Sequence, residues 1–132
     1  MSLSIPKDHQ QCQVCQHAFF SEQPITFQVN DEKDIYAEIV PTEKVEGYDG
    51  VMQGGLITAL HDSAMLHCLY NLEIHAMTVS LSTRFHRPIK LGVKVEVHAE
   101  WVSSRRNLHV LRSKITQEGH VCSSAESQFM DG

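Results

Sequence analysis

The stretch Gly50-Val51-Met52-Gln53-Gly54-Gly55-Leu56-Ile57-Thr58-Ala59-Leu60-His61-Asp62-Ser63-Ala64-Met65 decides how this chain is read. It opens as a glycine-rich turn, with Gly47 just upstream, and runs directly into a helical pattern. Leu56, Leu60, Ala64 and Cys68 recur every four residues, with Ile57 and Ala59 beside them, which makes a wide apolar stripe of helical period. The spacing predicts a helix from about Gly54 to Tyr70. Glycines at a helix start let a ligand come close to backbone N–H groups that have no partner inside the helix. Those groups, at the positive end of the helix dipole, favour an anion or a developing oxyanion. Asp62 is the one acid in this otherwise mostly apolar run.

Outward from the helix, the chain reads as sheet. Ile25-Thr26-Phe27-Gln28-Val29 and Ile35-Tyr36-Ala37-Glu38-Ile39 both alternate apolar and polar residues, the pattern of a half-buried hairpin. Thr42 to Gly50 is a polar loop. Beyond the helix, Met77, Val79, Leu81 and Phe85 are expected on one strand face, and Thr78, Ser80, Ser82, Arg84 and His86 on the other. Pro88 to Gly92 form a turn. Val93, Val95, Val97, Ala99 and Trp101 then alternate cleanly with Lys94, Glu96, His98 and Glu100. A turn at Ser103 to Asn107 leads into strands over Leu108 to Gln117 and His120 to Met130. Two strands, one helix and four strands describe an α+β chain. Its single apolar helix is most easily buried if an antiparallel sheet wraps around it.

At 132 residues this is one domain, preceded by a polar lead-in over residues 1–23 that packs its aromatic end, Phe19 and Phe20, on the body. Apolar content of 42% and charged content of 20% indicate a globular chain. A net charge of −5 argues against a general nucleic-acid binder. No apolar run has spanning length and no basic, apolar leader is visible, so the expectation is a cytoplasmic protein with no membrane partner. The four cysteines are too few for a secreted disulfide framework. Cys12-Gln13-Val14-Cys15, flanked by His9 and His17, supplies zinc-type ligands but lacks a second knuckle. The simpler expectation is two ordinary cysteines in a surface segment, with no metal and no cofactor.

Two motifs resemble the hotdog-fold acyl-CoA thioesterases of the phenylacetate-pathway and 4-hydroxybenzoyl-CoA types. Gly50-x-x-Gln53-Gly54-Gly55, followed by Leu60-His61-Asp62-Ser63-Ala64, is similar to that family's G-x-x-H-G-G and Leu-x-Asp/Glu-x-Ala signature. Thr78-Val79-Ser80-Leu81 leading to Phe85-His86-Arg87-Pro88-Ile89-Lys90-Leu91-Gly92 is similar to its T-V-x-L…F-x-R-P-x-x-x-G run. The resemblance extends from about Ile25 to the C-terminus. It implies an antiparallel sheet wrapped around one helix, an acyl-CoA substrate, and a site at a dimer interface, with dimers often paired into tetramers. Gln53 departs from the family's usual His. A glutamine keeps a donor and an acceptor but does not titrate near neutrality.

Thioester hydrolysis needs donors for the carbonyl oxygen, and a nucleophile or an activated water. Here the Gly54 and Gly55 amides are the candidate donors. Asp62 is the candidate nucleophile or general base, and Gln53 a candidate accessory group. Asp62 lies seven residues beyond Gly55, so about 10 Å along the helix axis at ~1.5 Å per residue. One carbonyl group does not easily reach both, so Asp62 from one copy and the amide from another is the expected arrangement, hence a homo-oligomer. Tyr48, Met52 and Met65 are candidate acyl contacts. Ser80 and Ser82 are candidate polar contacts near the acyl group. Arg84, Arg87 and Lys90 are candidate CoA phosphate contacts. The competing reading is a hotdog protein that binds an acyl-CoA or small ligand without cutting it.

Overall fold

In a computed structural model that describes residues 5–131, one long helix lies against a six-stranded sheet. The strands are β1 (Gln28–Val29), β2 (Ile35–Ile39), β3 (Ala76–Phe85), β4 (Val95–Arg105), β5 (Leu108–Gln117) and β6 (His120–Asp131), and α1 spans Gly54–Asn71. The first four residues of the lead-in and the last residue of the chain fall outside the described range. The sheet order is β1-β2-β4-β5-β6-β3, and every pairing is antiparallel. The long hairpin strands β4, β5 and β6 form the centre, while β3 and the two-residue β1 are the edges. The expected two-strand, helix, four-strand order is the one observed. No helix of the described residues is long and apolar enough to cross a membrane.

The sheet wraps the helix so closely that α1 is buried on several sides rather than along one stripe. Ile57, Leu60, Ala64, Met65, Cys68 and Leu69 are all in the core, with Leu60, Ala64, Met65 and Leu69 at 0% exposure. They pack with Ile35, Ala37 and Ile39 of β2, Val95, Val97 and Ala99 of β4, Leu111 and Ile115 of β5, and Phe129 of β6. Each large apolar side chain among them contributes roughly 1.5–3 kcal/mol on burial.

Polar groups enter this core only with partners. His61 is fully buried, with Nδ1 hydrogen-bonded to Ser113 Oγ on β5 and Nε2 2.8 Å from Ser123 Oγ on β6. Ser123 Oγ also lies 2.8 Å from the Arg84 carbonyl, to which it donates. One imidazole thus ties the helix to β5, β6 and β3. Gln117 acts similarly at the sheet's other end. Its side-chain amide accepts from Lys90 N and donates to the carbonyls of Lys90 and Val93, fixing the loop between β3 and β4.

Three departures from the sequence pattern have local causes. β1 retains only Gln28 and Val29 of the expected five-residue strand, although Ile25 and Phe27 are still buried. The register of β4 against β5 shifts between Trp101 and Ser103, and β4 runs on to Arg105, so the expected turn shrinks to Arg106 and Asn107. Trp101, expected on the buried face, is 46% exposed and donates its indole N–H to Ser104 Oγ at 2.8 Å. The third is a bulge in β3: the register against β6 shifts between Thr78 and Ser80, leaving Val79 as the extra residue. A one-residue insertion changes the facing of everything on one side of it. Thr78 therefore faces the helix, together with Leu81 and Thr83, whereas Met77 faces away and is 79% exposed.

Candidate functional site

The turn before α1 is held from both sides. Gln53 N donates to the Val45 carbonyl at 2.8 Å, and Met52 N donates to the Ile89 carbonyl at 2.8 Å. Gly50 has φ +77°, a conformation that disfavours any side chain, and its N–H reaches Glu46 Oε2 at 2.8 Å. Gly47 is forced by proximity: a Cβ there would stand 2.9 Å from Gln53 Cα and 3.0 Å from its Cβ. Gln53 is the helix N-cap. Its backbone is extended and its Oε1 accepts from Leu56 N at 2.9 Å. The side chain at the position where the resembled family carries His is therefore occupied with capping. The amides of Gly54 and Gly55, at the first two helical positions, have no partner among the described residues. Gly54 faces Phe85 of β3, whose ring atoms would lie 3.7 Å from a Cβ there.

Asp62 is half-buried two turns further along α1. Its Oδ1 accepts from Thr78 Oγ1 at 2.7 Å. No Lys or Arg pairs with it among the described residues. Burial raises its carboxyl above the usual value, while the Thr78 hydroxyl and the nearby His9 pull partly the other way. A carboxylate with one hydroxyl donor and a raised pKa is suited to accept a proton or to attack. Thr78, which donates to the Asp62 candidate, is not among the residues the sequence pointed to. The sequence contains it in the T-V-x-L motif, but strict alternation assigned it to the same face as Ser80, and the bulge separates them. Thr58 Oγ1 donates to Thr83 Oγ1 at 3.2 Å, so the helix–β3 seam carries a short row of hydroxyls between Gly54 and Asp62.

The other candidates are dispersed. Ser80, Ser82 and Arg84 lie on the sheet face away from the helix. There they line a groove of about 610 Å³ with Arg112, Lys114 and Glu126. That groove includes none of Asp62, Gln53, Gly54 and Gly55. Met52 and Met65 are core residues at 4% and 0% exposure, whereas Tyr48 is 89% exposed on the loop before the turn. Arg87 is exposed, and Lys90 pairs with Glu118 at 3.2 Å.

The lead-in docks beside Asp62. Cys15 is buried, contrary to the expectation of a surface cysteine, and its Sγ is 2.8 Å from Ser63 Oγ. His9, at the end of a short 3₁₀ turn over Lys7–His9, packs edge-on against Tyr70 and His67 of the helix. His67 is buried, stacks on Phe27, and hydrogen-bonds through Nδ1 to the Ser63 carbonyl at 2.7 Å.

The model of the thioesterase superfamily matches residues 49–123, more than half of the chain, and spans the glycine turn, Asp62 and Thr78. No curated protein sequence matches the chain. Among solved structures, a thioesterase superfamily protein is similar at 24% identity and TM-score 0.78, covering 81% of this chain and 56% of that one. This chain thus spans just over half the length of that relative. A protein of Streptococcus mutans, solved bound to acetyl CoA, has 17% identity and TM-score 0.77, covering 83% of this chain and 90% of that one. A mutant of the phenylacetic acid degradation protein PaaI from Thermus thermophilus has 21% identity and TM-score 0.70, covering 75% and 85%. The one helix wrapped by an antiparallel sheet is the hotdog fold, and with its glycine turn and Asp62 inside the matched segment the chain belongs to the thioesterase superfamily.

Proposed function

We propose that this protein hydrolyses an acyl-CoA thioester, with Asp62 of one copy and the amides of Gly54 and Gly55 of a second copy acting on the same carbonyl group. The observation that carries this reading is the half-buried Asp62 carboxylate, held by Thr78 on a helix otherwise given over to the core. Asp62 takes the proton of a water that attacks the carbonyl carbon. The carbon–sulfur bond breaks, and the departing CoA thiolate is protonated. The bare amides at the helix start stabilise the intermediate oxyanion. Direct attack by Asp62 is the other route, and oxygen-18 from solvent entering the enzyme in a single turnover distinguishes it. Two further features support the reading. One is the acetyl CoA bound to the Streptococcus mutans structure of the same fold. The other is the edge strand β3, which exposes Met77, Val79 and Phe85 beside the site and suits a second copy of this chain.

The test is thiol release from short-chain, long-chain and aryl acyl-CoAs by wild type and Asp62→Asn. Turnover by wild type and its loss in Asp62→Asn is the expected result. Equal turnover by both overturns the role of Asp62. Gln53, an amide that does not titrate and whose side chain is spent on capping, favours one alternative: a protein that binds CoA esters without hydrolysing them. Binding by wild type with no turnover on any ester supports that alternative.

A further inference from the structure

We propose that His9, Cys12 and Cys15 form a three-ligand site for a soft divalent cation, zinc by preference, which fastens the lead-in to the central helix. Their ligating atoms all lie within 4.8 Å of one another. Around a tetrahedral zinc, with bonds of ~2.0–2.3 Å, such atoms stand roughly 3.5–4 Å apart, so a small inward rotation of the side chains closes the set.

Four observations converge on this site. The His9 Nε2 is buried and has no hydrogen-bond partner among the described residues. A buried nitrogen left in that condition is destabilising, and a metal bond satisfies it. The His9 ring is held in place by edge contacts with Tyr70 and His67, with centroids 5.0 and 6.0 Å away. The chain folds back on itself here: Cys12 N donates to the His9 carbonyl, Gln16 N to the Cys12 carbonyl, and Cys15 N to Cys12 Sγ at 3.3 Å. Finally, Ser63 Oγ lies 2.8 Å from Cys15 Sγ, so the helix supplies an outer partner to one ligand.

The donor set selects the ion. Two thiolates and an imidazole are the ligands of zinc rather than of calcium or magnesium, and the two thiolate charges balance a divalent cation. Three protein ligands leave a fourth position for water. The lead-in also needs an anchor. From residue 5 to residue 24, only Cys15 and Phe20 are buried. A metal bond is a strong folding term for a segment so poor in apolar burial.

This inference stands apart from the proposed hydrolysis, because its readout is bound metal and not turnover. The full chain, purified under reductant without chelator, is expected to carry about one zinc per chain by elemental analysis. Replacement by Co²⁺ is expected to give thiolate-to-cobalt charge transfer and the visible bands of tetrahedral cobalt. The Cys12→Ser, Cys15→Ser double variant is expected to lose both signals. Ser63→Ala is expected to weaken zinc about 10-fold. Zinc is also expected to slow proteolysis within the lead-in. A wild-type chain that holds no zinc and gives no cobalt spectrum overturns the proposal, whether or not the double variant folds. Full metal retention in the double variant overturns it too. So does a Cys12–Cys15 disulfide that persists under reductant.

Discussion

Gly47 and Gln53 face each other so closely that a Cβ on Gly47 would stand 2.9 Å from the Gln53 Cα. The loop between them is drawn into a hairpin by Gly47 N donating to the Val51 carbonyl and Gln53 N to the Val45 carbonyl. Backbone cannot yield as a flexible side-chain tip can. Gly47→Ala is therefore expected to cost roughly 2 kcal/mol, in the range of an overpacked site. Urea unfolding with an unchanged slope and a lower midpoint checks it. Gln53→Ala removes the cap on Leu56 and is expected to cost about 1 kcal/mol. If either variant unfolds at the wild-type midpoint, the tight approach or the cap has been misjudged.

Thr78 donates to the charged form of Asp62, so its hydroxyl holds the carboxyl down against the upward pull of burial. Removing that donor raises the Asp62 pKa further. If Asp62 works as a base, Thr78→Ala should move the acid limb of the kcat/KM profile to higher pH and lower the plateau. Asp62→Asn should lower kcat by about 10²–10⁴, the usual contribution of a positioned base. An acid limb that stays put in Thr78→Ala separates Thr78 from the titrating group.

A site assembled from two copies predicts complementation. Proline is well accommodated at the first helical position, and the extended Gln53 (ψ 136°) suits a following proline. Gly54→Pro therefore deletes one amide with little change of backbone. Gly54→Pro and Asp62→Asn chains should each be nearly inactive. Unfolded together and refolded as a mixture, they should form hybrids with one intact site. Recovery of activity on mixing checks this, and no recovery in hybrids verified by native mass spectrometry argues for a site within one chain.

Burial pushes both His61 and His67 down to about 4. In the unfolded chain each returns to near 6.5, so between these values the unfolded state binds the extra protons and stability rises with pH. The stabilising contribution is complete above about pH 6.5 and is lost as pH falls through about 4. At about pH 4.5 the loss is on the order of 2–3 kcal/mol per histidine. Asp62, whose carboxyl is raised, acts in the opposite sense and offsets part of this. Unfolding midpoints measured from pH 7 down to 4.5 should fall for wild type and fall less steeply for His61→Gln.

Much of this fold could be read in the residues because it is written in periodicity. The α1 start at Gly54, the β2 limits and the whole of β5 coincide with the pattern. What the pattern missed has a common physical origin. A bulge adds one residue without altering composition, so Thr78 parted from the face of Ser80 unannounced; Trp101 keeps the face of Ala99, opposite Leu111, and is exposed nonetheless. Serine inside a strand reads as a solvent-facing polar residue, yet Ser113 and Ser123 point inward because His61 needs both. The lead-in has no period at all, and its docking depends on side-chain pairings such as Cys15 with Ser63, which no local rule foretells. The Gly54, Gly55 and Asp62 candidates lay on one periodic element and could be ordered along it. The Ser80, Ser82 and Arg84 candidates depended on strand phase, and they line the groove behind the sheet.

The two borders of the sheet are unequal. β3 offers ten residues along its open side, whereas β1 offers two. Were copies to join strand to strand, as the proposed two-copy site requires, β3 is the longer rim, and a β3-to-β3 pair would leave neither molecule a comparable one. One long margin and one blunt margin would then end such growth at a pair, away from the runaway stacking to which sheets with two long free margins are exposed.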